Sequence, residues 1–65
     1  MDKRLGERQV AGWSESKLWE VYSEMKWRIA REGYVSYADM PPLHRHNAEL
    51  LAGEVRKRGV QLRLF

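Results

Sequence analysis

Two consecutive prolines, Pro41-Pro42, divide this chain of 65 residues more sharply than any other feature. Together they remove two backbone donors and push Met40 away from helical angles, so no helix can run through this point. A helix can begin there, because a missing N–H costs nothing in a first turn. Gly33 and Gly59 suit the left-handed turn that closes a helix, so with the prolines they mark out two long segments and a short joint.

The first segment opens with Ser14 as an N-cap, Trp13 placed to staple onto Leu18, and Gly33 just past its end, which predicts a helix over about 14–32. On a wheel of about 100° per residue, Leu18, Val21, Tyr22, Met25 and Ile29 fall within one arc, with Trp19 and Ala30 on its shoulder. Trp27 points the other way, among Glu20, Ser23, Glu24 and Arg31. In the joint, Ser36 followed three residues later by Asp39 imitates a capping box, and the prolines limit that element to about one turn.

The second long helix is expected from Pro42 to Arg58. Leu43, Ala48, Leu50, Leu51 and Val55 form its inner side; Arg45, Glu49, Ala52 and Arg56 form an outer row, with His46, Gly53 and Lys57 beside it. Val60-Gln61-Leu62-Arg63-Leu64 then alternates as a half-buried strand does, with Tyr34-Val35-Ser36 or Gln9-Val10-Ala11 as its only candidate partners. Residues 1–12 hold no sustained period and read as an N-terminal arm; 13–65 read as a single domain. The expected class is mostly α: a small helix-turn-helix core of two long helices and one short turn, with a short C-terminal β-strand.

A chain this short buries only ~60% of the surface its unfolded form exposes, so its core is small. Without cysteine it has neither a disulfide nor a thiolate metal site. No stretch approaches the ~20 apolar residues that span a bilayer, which predicts a soluble, cytoplasmic protein with no membrane partner. The net charge of +3 is unevenly placed: residues 14–33 balance four bases with four acids, whereas 44–65 carry five bases against Glu49 and Glu54. A C-terminal positive field favours phosphate or an acidic protein surface; the alternative is a solvated helix face.

Catalysis has little to stand on. His44 and His46 are two residues apart and diverge by about 200° on a helix, whereas a helical zinc pair needs a spacing nearer four. There is no Gly-rich phosphate loop, cysteine nucleophile or paired carboxylate motif, so neither an enzyme, a metal nor a cofactor is expected. Two surfaces are better candidates. On the second helix, Arg45, His46, Asn47, Glu49, Arg56 and Lys57 form a nucleic-acid contact row, and Ala52-Gly53 admits close approach. Gly53 costs about 1 kcal/mol relative to alanine inside a helix, so close contact within the domain or with a partner is expected there. On the first helix, Trp27 with Glu24 and Arg31 forms a protein-interface candidate, unless the arm or the C-terminal strand folds over it.

From Leu18 to Phe65 the order of elements resembles a winged-helix or sigma-factor region 1.1-like unit. Glu32-Gly33-Tyr34-Val35-Ser36-Tyr37-Ala38-Asp39-Met40 is similar to the family's "Gly-Tyr-Val-Thr-Tyr-Asp-Glu" entry to a helix, and Arg58-Gly59-Val60-Gln61-Leu62 to its "Gly-Ile-Glu-Val" ending. The resemblance implies a three-helix core and a role near transcription. It also departs from the family, whose region 1.1 is acidic and part of a much larger protein, whereas this chain is basic. A shorter likeness links Leu43–Gly59 to a helix of pyrimidine-dimer glycosylases, but their catalytic N-terminal threonine has no counterpart here. The leading expectation is therefore a small DNA-binding or transcription-associated protein that uses helix 42–58. The competing one is a protein-binding module, such as a phage- or plasmid-encoded inhibitor of a host protein like RNA polymerase, that uses Trp27 and forms a homodimer.

Overall fold

The computed structural model describes residues 3–65 and is mostly helical: α1 (Glu7–Ala11), α2 (Glu15–Glu32), a single 3-10 turn (Tyr37–Asp39) and α3 (Pro42–Lys57). The ends of α2 are local chemistry. Ser14 Oγ accepts from the Lys17 N–H at 3.1 Å, and Gly33 takes the left-handed conformation (φ 75°) while its N–H and that of Tyr34 both donate to the Ile29 carbonyl. Pro42 occupies the first turn of α3. At the far end Gly59 (φ 82°) lets its N–H reach Arg56 O while Val60 N–H reaches Val55 O, the paired bonds of a Schellman ending. In the joint, the Ser36 side chain makes no capping bond, and Asp39 Oδ2 accepts from Val35 N–H at 2.9 Å, one residue before the expected N-cap, so the Ser36–Asp39 box does not form and the acid ties down the preceding residue instead.

α3 is the central element and packs against α1, α2 and the 3-10 turn. The core combines Leu18, Val21, Tyr22, Met25 and Ile29 of α2 with Ala48, Leu51 and Val55 of α3, plus Met40 from the joint. Leu5 and Val10 also belong to it. The segment expected as an arm is thus packed, and Gln9-Val10-Ala11, a candidate edge strand, is helical. The first two residues of that arm lie outside the described residues.

Side chains of α3 hold this segment in place. Asn47 is fully buried; its Oδ1 accepts from Leu5 N–H at 2.8 Å and its Nδ2 donates to Lys3 O at 2.9 Å. His46 Nε2 lies 2.8 Å from Leu5 O. Further along, Arg58 donates through Nη2 to Trp13 O at 2.9 Å and to Val10 and Ala11 carbonyls at 3.5 Å, while Nε pairs with Glu54 at 2.9 Å. Residues 3–13 therefore run alongside α3 from its first turns to its last.

No strand forms among the described residues. The alternating tail 60–64 lacks a partner, since Gln9–Ala11 is helical and the Val35 N–H is taken by Asp39. It lies instead along α3, with Leu64 buried, Val60 packed on the core and Phe65 edge-on to Tyr37 at 4.9 Å. No helix among the described residues is long and apolar enough to cross a membrane.

Candidate functional site

The central position of α3 decides how much of it can meet a partner. With about 100° between successive residues, Ala48, Leu51 and Val55 define the flank facing the core. A second flank faces α1: Leu50, Gly53, Glu54 and Lys57 line a cavity of about 130 Å³ together with Glu7 and Val10, and Lys57 Nζ lies 3.7 Å from Glu7. The third flank, through Ala52 and Arg56, faces the tail across a cavity of about 230 Å³ that Tyr37, Leu62, Arg63, Leu64 and Phe65 complete. Of the α3 residues after Pro42, Glu49, Arg56 and Lys57 are the exposed ones.

This redistributes the nucleic-acid row read from the sequence. Glu49, Arg56 and Lys57 are exposed. Asn47 is a correction: it is wholly buried, with its amide spent on the backbone of Lys3 and Leu5, because the N-terminal segment crosses α3 there. His46 is half-buried against Leu5 O. Arg45 is turned back on the joint, donating from Nε to Tyr37 O at 3.0 Å and from Nη2 to Met40 O at 3.1 Å. Three of the six side chains thus serve the fold. Each hydrogen-bonds the backbone of the joint or of the N-terminal segment, and the Leu5 N–H held by Asn47 is the buried one among these groups.

Gly53 has no close neighbour: a Cβ built on it meets nothing within 4 Å. The expected tight contact within the domain is absent. His44 sits at the core edge, its Nδ1 buried without a hydrogen-bond partner among the described residues, as is the Tyr22 hydroxyl. Burial raises the Tyr22 phenol above its ordinary 10.0, with a smaller contribution from Tyr37. Tyr37 is raised in the same way by burial and then by Glu49, against an opposing pull from Arg56. These phenols stay neutral and protonated at physiological pH. No group of three or more histidine and carboxylate side chains converges among the described residues.

The outer face of α2 is different. Trp13 and Trp19 pack partly on the core, Trp13 under the Lys17 ammonium at 5.7 Å and Trp19 edge-on to Tyr22 at 5.7 Å. Trp27 is 69% exposed, and among the described residues neither the N-terminal segment nor the tail covers it. It borders a shallow depression of about 200 Å³ with Glu24, Arg28 and Arg31, floored by the buried Met25. Glu24 and Arg31 are exposed as the sequence predicts, with Arg31 held loosely by Glu32 at 3.7 Å. The residue that sequence reasoning undervalued is Arg28, half-buried on the flank of this depression. Its spacing, four residues after Glu24 and three before Arg31, is the signal that would have found it.

A second depression, of about 450 Å³, lies where the tail leaves α3 and is lined by Arg56, Gly59, Val60, Gln61, Leu62 and Arg63. Arg63 joins Arg56 there only because the tail folds back, which the expected strand did not foresee. Comparison with protein-family models, curated proteins and solved structures finds no match for this chain. The winged-helix and sigma-factor likeness therefore stands on its two short motifs alone.

Proposed function

We propose that this chain is a small protein-binding module that presents the outer face of α2, with Trp27 at its centre. The exposure of Trp27 carries this reading. With the residue 69% exposed, and a tryptophan offering 150–250 Å² for burial, roughly 100–170 Å² of largely apolar surface stands wet. Covering it is worth about 2.5–4 kcal/mol, the size of an interface hot spot. Arg28 and Arg31 beside it are the other residue type enriched at such spots, and Glu20 and Glu24 add a polar rim of opposite sign. The mixed charge of α2 suits a protein surface better than a phosphate backbone, which asks for one sign. A host protein such as RNA polymerase is a partner this face would suit.

A second reading, nucleic-acid binding, keeps one specific support: Arg56 and Arg63 share a groove, with Lys57 nearby on α3. It would use phosphate contacts rather than a reading helix and would weaken steeply with salt. Capture from a host lysate by the immobilised protein, with and without nuclease, separates the two. The protein-binding reading expects nuclease-resistant capture that Trp27→Ala removes and Arg56→Ala leaves in place. Capture that nuclease abolishes and Trp27→Ala does not touch would overturn it in favour of nucleic acid.

A further inference from the structure

The charges around Trp27 follow a pattern that says what kind of surface would cover it. Glu24 and Arg31 are seven residues apart, with Trp27 between them. Two turns of helix bring them back to within about 20° of the same azimuth, so they occupy one flank of the outer face. When two α-helices pack antiparallel across a twofold axis, each flank meets the same flank of its mate, running the other way. A copy of α2 laid on α2 with the axis beside Trp27 therefore sets Glu24 against Arg31 of the second copy, and Arg31 against its Glu24. The two Trp27 rings then meet near the axis. A parallel arrangement would bring this flank against the other one, where Ser23 and Ala30 offer no charge.

We propose that the partner of the Trp27 face is a second copy of this chain, packed antiparallel through α2, with Trp27 at the twofold axis and two symmetric Glu24–Arg31 pairs across it. This rests on the reading of α2 as a protein-binding surface and names the occupant. The face is physically suited to it: α2 has 18 residues, so its outer side is about 27 Å long, and its small residues Ser16, Ser23 and Ala30 allow a mate to approach. One helix pair covers less than the ~1,200–2,000 Å² of a standard stable interface. Association is therefore a monomer–dimer equilibrium with a dissociation constant on the order of 100 µM, rather than a permanent dimer.

Sedimentation equilibrium over about 10 µM to 1 mM tests this, on the intact chain and on three exposed-site variants whose folding is checked by circular dichroism. The wild type is expected to dimerise in that range, and Trp27→Ala to weaken the dimer about tenfold or more. Glu24→Arg places like charges together twice, once at each symmetric contact, and is expected to weaken it by a similar factor. The double reversal Glu24→Arg with Arg31→Glu restores both pairs and is expected to return to within about threefold of wild type. A wild type that stays monomeric to 1 mM overturns the proposal, as does a dimer indifferent to Glu24→Arg or one that the double reversal fails to rescue. Trp27-dependent, nuclease-resistant capture of another protein by a strictly monomeric chain would sink the self-association while sparing the protein-binding reading. A monomer without such capture would sink both.

Discussion

Asn47 shows how one side chain can decide what a whole helix is available for. Its amide has one acceptor and two donors, and here the acceptor takes Leu5 N–H while a donor serves Lys3 O, both in a fully buried setting. Removing it leaves the buried Leu5 N–H without its partner, which costs more than the net worth of a hydrogen bond. Asn47→Ala is expected to destabilise the protein by about 2–4 kcal/mol, even though alanine is the better helix former. For a domain of this size that is a large share of the total. The urea midpoint should fall markedly; an unchanged midpoint would mean that the segment 3–6 is not held in this way. The period of α3 places Asn47 among Leu43, Leu50 and Leu51 on the inner side, so its burial was legible locally while its bonding partners were not. Its role depends on a segment 42–44 residues away.

At the scale of elements, what could be read from the sequence was what local chemistry determines. Ser14, Gly33, Pro42 and Gly59 set the ends of α2 and α3 within a residue or so, because caps and left-handed turns depend only on neighbours. The core face of α2 was legible for the same reason: its period is intrinsic to the helix. The tail and the N-terminal segment were not, because their conformation is chosen by contact. Alternation of Val60, Leu62 and Leu64 fits a strand, yet Leu62 is 46% exposed and only the outer two pack inward, so the pattern served docking on α3. At the candidate site the same division holds. Trp27, Glu24 and Arg31 stand outward as the wheel places them, and Asn47 lies on the inner side with Leu43, Leu50 and Leu51, whereas Arg45 and His46 are drawn inward by partners the wheel does not contain.

α1 carries the sharpest consequence. With five residues it is far too short to persist alone, and the Arg58 guanidinium, bound to three carbonyls at its C-terminal end, fastens it to α3. Charge-assisted bonds of this kind contribute about 1.5–3 kcal/mol. In Arg58→Ala, amide exchange at Val10, Gly12 and Trp13 is expected to quicken by about tenfold to a hundredfold, while Met25 and Leu51 in the main core keep most of their protection. Uniform acceleration across all five would show instead that α1 and the core open as one unit.

Over the whole molecule, one small core is shared by every element, and two of its aromatic members, Tyr22 within it and Tyr37 at its edge, resist ionisation. Their raised values mean that the folded state holds these protons more tightly than the unfolded chain does. The resulting stability is present in full below pH 10.0 and is lost as pH rises through the folded-state values. Tyr22 contributes because its hydroxyl is buried with no hydrogen-bond partner among the described residues, so the phenolate would be poorly solvated. Thermal unfolding from about pH 8 to about pH 11 should show a steady midpoint that drops above pH 10, and Tyr22→Phe should reduce that drop while leaving the part due to Tyr37.

The claim that joins these scales is that the chain spends α3 on holding itself together and leaves α2 to meet a partner, with Trp27 as the anchor. The three tryptophans make this directly readable, since each contributes one indole N–H resonance and only Trp27 lies on the proposed surface. In two-dimensional nitrogen–proton spectra recorded over the same concentration range as the sedimentation experiment, the Trp27 indole signal is expected to shift progressively with the population of dimer, while those of Trp13 and Trp19 stay in place. Three stationary indole signals over the full range, in a sample where a short DNA duplex at low salt moves the backbone signals of Arg56 and Arg63, would contradict the account and return the function to the basic end of α3.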